Sequence, residues 1–272
     1  MASIEKSTAQ ITKLYRAAQR DIIFEIKGAT TYRRQELALI SRNITKVLER
    51  LGKTTSKEVR ALTEKHYRDG FDQTVGSLKS AGAKGISAKF SVLDTEALAA
   101  MAGEITSLLG EANQGAQRHT LRMLSKGRAK ATLSRIARGR LLGKTLNDIK
   151  RDIEKELDAG MVVLRDRAGR KWAMDTYAEM VTRTNMRKAT NDGVMNKLAA
   201  EGADLVTVSD HGTDHEECRV WEGKLLSVSG DTKTFDGQSI STVEQATSAG
   251  LFHPNCKHRL FAHKPEIVRF LT

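Results

Sequence analysis

Proline is nearly missing from this 272-residue chain: there are two, Pro254 and Pro265. Because proline lacks an N–H and clashes with the preceding turn, its absence leaves everything upstream of Pro254 free to form long helices. Aromatic residues are scarce as well, at 5 %. That profile suits long amphipathic helices better than a compact β-rich enzyme. Two cysteines, Cys218 and Cys256, are too few for a disulfide framework. In a cytoplasmic product they point to a metal or to no special role. No apolar run approaches the roughly 20 residues that cross a bilayer. The polar segment Met1–Gln10 carries no apolar signal-peptide core, so synthesis and retention in a cytoplasm are expected.

What the chain does have is charge. Charged residues make up 29 %, hydrophobic residues 39 %, and the formal net charge is +12. The hydrophobic share allows a real core, and the basic excess favours polyanionic partners, of which nucleic acid is the usual one. Ile11, Leu14, Tyr15, Ala18, Ile22 and Ile26 recur at three- and four-residue steps and predict a first helix. Leu37, Ile40, Ile44, Val47, Leu48 and Leu51 predict a second, closed by Gly52, and Ser56 is expected to open a third that ends near Gly76. These stripes read as packing faces. The small residues from Ser80 to Gly85 predict a loop, and a fourth helix is expected over Asp94–Leu109 with Asp94 as its N-cap.

Between Asn113 and Asn147 there is no acidic residue, while Arg118, Arg122, Lys126, Arg128, Lys130, Arg135, Arg138, Arg140 and Lys144 all fall there. Several are three or four apart and would share a helical face, where like charges repel unless a counter-charge arrives. DNA phosphate or an acidic face of a neighbouring subunit would supply it. With no aromatic residue among these bases, a DNA contact would be to the backbone and without sequence preference. A short helix is expected over Leu146–Leu157, a hairpin or loop over Gly160–Gly169, and one long helix over Trp172–Ala200 ended by Gly202. The period then changes to two, so Leu205, Val206 and Val208 predict a strand, with Leu225, Leu226 and Val228 as its partner. The expected fold is mainly α: a helical N-terminal arm (1–112), a basic helical segment (113–170) and a small α+β C-terminal domain (171–272).

Five of the seven histidines and both cysteines fall between His211 and His263. One part reads His211-Gly-Thr-Asp-His215-Glu-Glu-Cys218-Arg-Val-Trp221-Glu-Gly223-Lys224, which contains His-x2-Cys. The other reads His253-Pro-Asn-Cys256-Lys-His258, which contains His-x2-Cys-x-His. Two short nitrogen–sulfur pairs brought together by the fold are how a closed tetrahedral zinc site is made, and thiolate with imidazole favours zinc over calcium or magnesium. The expected ligands are His215, Cys218, Cys256 and His258. His211 is an alternate for His215; His253 is an alternate for His258, or a hydrogen-bonding group behind it. Such a structural zinc would contribute folding energy to about seventy residues past Gly202 that can bury little core alone. Trp221 is expected to anchor the core and Gly223 to make a turn.

The run from Val208 through His211, Cys218, Trp221, Gly223 and Lys224, followed by Asn255-Cys256-Lys257-His258, resembles the phage minor capsid protein 2 family. It is similar also to the broader head morphogenesis proteins typified by the F protein of phage Mu. Thr182-Arg183-Thr184-Asn185 resembles the stretch preceding that domain in the broader family, and the likeness covers about Trp172 to Ala262. The broader family often has Cys at the positions of His215 and His258, and Glu at that of Asn185. The resemblance implies a virion component of low copy number near the portal and the capsid interior, made in the host cytoplasm. Its implied partners are the portal protein, major capsid or scaffold proteins and the backbone of double-stranded DNA, with no membrane. A Cys218–Cys256 disulfide in a mature particle is a further option.

Two other readings stay open. A His-Asn-His-type nuclease would recruit Asp210-His211 and Asn255-x2-His258, but a closed four-ligand site leaves no open position for substrate. The spacing of a zinc deaminase is met by neither His215-Glu216-Glu217 nor Pro254-Asn255-Cys256. A plain non-specific DNA-binding module would need no other virion component.

Overall fold

A computed structural model describes residues 2–27, 34–124, 163–166 and 169–263. Four helices carry most of it: α1 (Ala2–Lys27), α2 (Arg34–Ser80), α3 (Val92–Leu124) and α4 (Met174–Ala200). Between α3 and α4 lies a hairpin of β1 (Val163–Arg165) and β2 (Lys171–Ala173). After α4 come β3 (Leu205–Val208), the single turn α5 (Glu216–Arg219), β4 (Leu225–Ser227), β5 (Thr234–Phe235), β6 (Gln238–Ser239), β7 (Ser241–Thr242), α6 (Val243–Ser248) and β8 (Leu260–Ala262). The chain is mainly helical with a small C-terminal sheet region, as its periodicity predicts. Among the described residues no helix is long and apolar enough to cross a membrane.

The chain divides into two units. One comprises 9–57 and 106–179 and is built from helix faces. Ile11, Tyr15, Ile22, Ile26, Ile40, Ile44, Leu48 and Leu109 are buried in it. Burial pushes the Tyr15 phenol well above its ordinary value, so it stays neutral. The expected break at Gly52 does not occur: α2 runs unbroken through it for 47 residues. A glycine costs only about 1 kcal/mol in a helix interior, and the buried Leu51, Thr55 and Val59 on either side hold the helix together. Trp172 lies on β2 rather than in the following helix, because its indole N–H donates to Asp166 Oδ2 at 2.9 Å across the hairpin. Arg118 and Arg122, near the end of α3, are exposed. Lys126, Arg128, Lys130, Arg135, Arg138, Arg140 and Lys144 lie outside the described residues, as does the helix expected over Leu146–Leu157.

The other unit comprises 1–8, 58–105 and 180–272. Here α2 and α4 cross in backbone contact at two glycines. A Cβ on Gly70 would lie 2.0 Å from the Thr190 carbonyl oxygen, and one on Gly193 would lie 2.2 Å from that of Tyr67. Beside the crossing, Tyr67 and Phe71 pack edge-to-face on Phe90. The α3 N-terminus is capped differently from expectation. Ser91 is the cap, and Asp94 sits three residues on, accepting from Ser91 N–H at 2.8 Å while its own N–H donates to Ser91 Oγ at 3.2 Å. This is a capping box with aspartate in the place usually held by glutamate. It forms because the Asp94 carboxylate also accepts from the buried Tyr67 hydroxyl.

The sheet has the order β7-β4-β3-β8, antiparallel except for the parallel β4–β7 pair. Leu205 opposes Ser227 and Val206 opposes Leu226, which confirms the predicted β3–β4 pairing, while on the other edge of β3 Val206 opposes Ala262 of β8. Its apolar face does not stand alone. Val206, Val208, Leu226, Leu260 and Ala262 share one core with Leu78 of α2 and with Val194 and Leu198 of α4. The interior that the sequence leaves short is therefore supplied by α4, just before the sheet, and by α2 from far upstream. The Asp204 carboxylate gathers hydrogen bonds from Ser227, Ser229 and Thr232, which outweigh its burial and hold it well below the usual carboxylate range.

Two outcomes are expected. Gly193→Ala forces the α2 and α4 backbones apart and should cost at least the upper end of the about 1–3 kcal/mol typical of overpacking; guanidinium melts check this. His66, buried against Ser7 Oγ at 2.9 Å, is held neutral, with its pKa lowered to about 4 by burial and then by Lys65. Unfolded histidine titrates near 6.5, so below that value the unfolded chain takes up a proton that the folded chain refuses. This contribution to stability is complete above pH 6.5 and fades as the pH falls towards 4. Urea melts across that window should show a shallower pH dependence in His66→Asn.

Candidate metal centre

His215 and Cys218 are presented by one tight turn. Cys218 and Arg219 N–H groups both donate to the His215 carbonyl, at 3.1 and 2.9 Å, closing α5. With a three-residue step between them, the two side chains share a face of that turn. Beyond it Gly223, at φ +70°, lets the chain reverse so that its N–H donates to the Val208 carbonyl at 3.1 Å. Gly223 is thus the turn expected from sequence. Trp221 packs against the sheet core.

The second strand of the site is the loop 250–259, which α4 holds from one side. Arg183 Nη1 donates to Asn255 Oδ1 at 3.2 Å, Asn255 N–H to Thr184 Oγ1 at 3.3 Å, Arg187 Nη1 to the Lys257 carbonyl at 2.8 Å, and Leu260 N–H to Asn191 Oδ1 at 3.0 Å. Residues 183, 184, 187 and 191 recur at helical spacing, so one face of α4 grips the loop. Asn185 is not on that face: its amide donates to the Val181 carbonyl of its own helix at 2.8 Å. At the loop's entry Gly250 takes φ +103°, and a Cβ there would meet the Glu217 side chain at 2.7 Å, so the two loops press together where only glycine fits.

These loops bring both cysteines and three histidines into one cluster. Cys218 Sγ lies 3.7 Å from Cys256 Sγ, and Cys256 Sγ 3.2 Å from His258 Nδ1. The three side chains are buried, and the sulfurs are not bonded to each other. Their ligand atoms fall within 4.8 Å of one another, as do those of a second trio, His215, Cys218 and His253. His215 and His253 stack with ring centroids 4.1 Å apart and planes 19° from parallel. His211 belongs to neither trio. Its Nε2 faces Ser209 Oγ at 2.9 Å and the Lys257 carbonyl at 3.2 Å.

Burial first, and then the Cys256 thiol beside it, push the Cys218 thiol well above its usual range. A thiol raised in this way stays protonated, and one that coordinates a metal loses its proton outright. The donor set is soft sulfur and imidazole gathered around one point, which fits zinc.

Sequence reasoning missed two residues here. Arg187 is a buried cation whose charge interacts with Cys256. Glu222 accepts from His258 Nε2 at 2.9 Å and from the His211 backbone N–H at 2.9 Å. Burial alone would raise the Glu222 carboxyl, but His258 and the backbone donors of His211 and Thr213 together bring it below its ordinary value. In sequence, neither residue differs from the other charges around it. A cavity of about 190 Å³ adjoins the cluster, lined by Asp192, Met195, Val243, Phe252, His253 and Cys256 among others. Burial pushes the Asp192 carboxyl up to about 6.

No curated protein and no solved structure matches the chain. A protein family does, over residues 3–270, so the match extends well upstream of the motif-bearing segment, through the N-terminal helices. Its description is that of a capsid component, which implies a place in the virion and contact with other virion proteins. On this match the chain belongs to the phage minor capsid protein 2 family.

Proposed function

We propose that this chain is a structural, non-catalytic component of the phage head. It works at the portal and the capsid interior, with a zinc ion clamping its C-terminal loops. The family match carries the virion part of this reading. The observation that carries the zinc part is the buried trio Cys218, Cys256 and His258, with the sulfurs 3.7 Å apart. Cys218, Cys256 and His258 supply three ligands. The fourth comes from the stacked pair of His215 and His253, where His215 is the candidate favoured by its place on the Cys218 turn. Because the sheet shares its core with α2 and α4, the ion's role is to fix the two loops rather than to replace a hydrophobic interior.

The basic stretch from Arg118 to Lys144 meets the backbone of packaged DNA in this reading. Exposure of Arg118 and Arg122 near the end of α3 supports it, as does the absence of acid from 113 to 147. Neighbouring partners would be the portal ring and major capsid or scaffold proteins. A nuclease reading finds little support, because His211, its candidate base, is turned onto Ser209 and a backbone carbonyl.

Four measurements test these points. The chain should co-purify with the portal ring from induced cells; its absence from that complex would overturn the portal assignment. Elemental analysis should give one zinc per chain, lost in Cys218→Ser and Cys256→Ser. Chelation should expose the 211–258 loops to protease while the helices stay folded. Salt titrations of DNA binding should show a steep slope, and each of Arg118→Ala and Arg122→Ala should reduce it by about 0.9 for every phosphate the variant no longer neutralises.

A further inference from the structure

We infer that Glu222 is the positioning carboxylate of the metal centre, fixing His258 so that Nδ1 is its ligating nitrogen and tying the two ligand loops to each other. This rests on the zinc reading above and specifies it further.

The argument is geometric. His258 is buried and has two ring nitrogens with different surroundings. Nδ1 faces Cys256 Sγ at 3.2 Å, inside the trio, while Nε2 lies 2.9 Å from Glu222 Oε1. A carboxylate can only accept, so Nε2 carries the proton and Nδ1 presents its lone pair to the sulfurs. A histidine that ligates a metal through one nitrogen and donates from the other to a carboxylate has its tautomer and ring orientation set and its basicity raised. The Glu222 side chain is itself 7 % exposed, so the pair is shielded from competing water.

The same carboxylate does more than hold one ring. It accepts from the His211 N–H at 2.9 Å and from the Thr213 N–H at 3.2 Å to each oxygen. Those amides belong to the segment that leads into His215 and the Cys218 turn. His258 belongs to the other loop, 36 residues further along from Glu222. One side chain therefore fixes the approach of both ligand pairs, and its loss frees both at once. Glutamine can still accept from Nε2 and from the amides but lacks the charge; alanine does neither.

The test uses the full-length protein, with zinc affinity measured by chelator competition for wild type, Glu222→Gln and Glu222→Ala. Alongside it, the protonated nitrogen of His258 is assigned by long-range ¹H–¹⁵N correlation in the zinc-loaded protein. Wild type should bind zinc with Nδ1 ligated and Nε2 protonated. Glu222→Ala should bind about 10–100-fold more weakly, the range found when such a partner is removed, and Glu222→Gln should fall between the two. Helical circular dichroism in chelator should match wild type in Glu222→Gln, which separates a metal effect from unfolding. Unchanged affinity in both variants, or ligation through Nε2 in wild type, would overturn the role of Glu222 while leaving the zinc reading intact. Failure of wild type itself to bind zinc would overturn both, and is distinct from either.

Discussion

The C-terminal site depends on one helix being held from two sides. On one side, α4 meets α2 so closely that the carbonyls of Thr190 and Tyr67 occupy the space a Cβ would need at Gly70 and Gly193. On another, Thr184, Arg187 and Asn191 hold the loop bearing Cys256 and His258. A rigid helix with no slack against its neighbour is what allows a loop of turns and positive-φ residues to keep a cysteine and a histidine 3.2 Å apart. Backbone packing of this kind is unforgiving, because interiors are close-packed and a displaced helix carries its whole face with it.

The electrostatics around the cluster follow from burial. Burial and the neighbouring sulfur push the Cys218 thiol up, and a buried arginine and a buried carboxylate stand next to the cluster. Arg187 places a buried positive charge beside Cys256, and Glu222 faces the His258 nitrogen that points away from the sulfurs. Buried charges are tolerated only when paired or hydrogen-bonded, and each of these has partners in the two loops or in α1: Arg187 reaches the Lys257 carbonyl and lies 3.6 Å from Glu5. The polar groups thus specify the geometry of the loops while the shared apolar core of sheet and helices supplies most of the cohesion.

The helices and the C-terminal region are built differently: the helices bury continuous apolar stripes, and the C-terminal region is fixed by short strands and polar loop contacts. Arg118 and Arg122 stand exposed on a helix whose buried face includes Ala112 and Ala116, so charge and packing occupy different sides of the same element.

Much of this was readable from residue order alone, because helix periodicity, strand alternation and ligand chemistry are local properties. The stripes from Ile11 to Leu51, the strand character of β3 and β4, the Gly223 turn and the short His-x2-Cys and Cys-x-His donor pairs all follow from spacing over a few residues. What the linear chain left undecided involves partners far apart in it. Whether α2 stops at Gly52 depends on what packs beside it, and a glycine's modest local penalty gives way to tertiary burial. Whether Ser91 or Asp94 caps α3 depends on Tyr67, which claims the aspartate from 27 residues away. Which histidines face the sulfurs, and that Glu222 stands behind one of them, depends on interactions spanning 36 to 70 residues. The composition determined which chemistry was available; only folding, by choosing which distant groups share a desolvated space, decided which side chains would carry it.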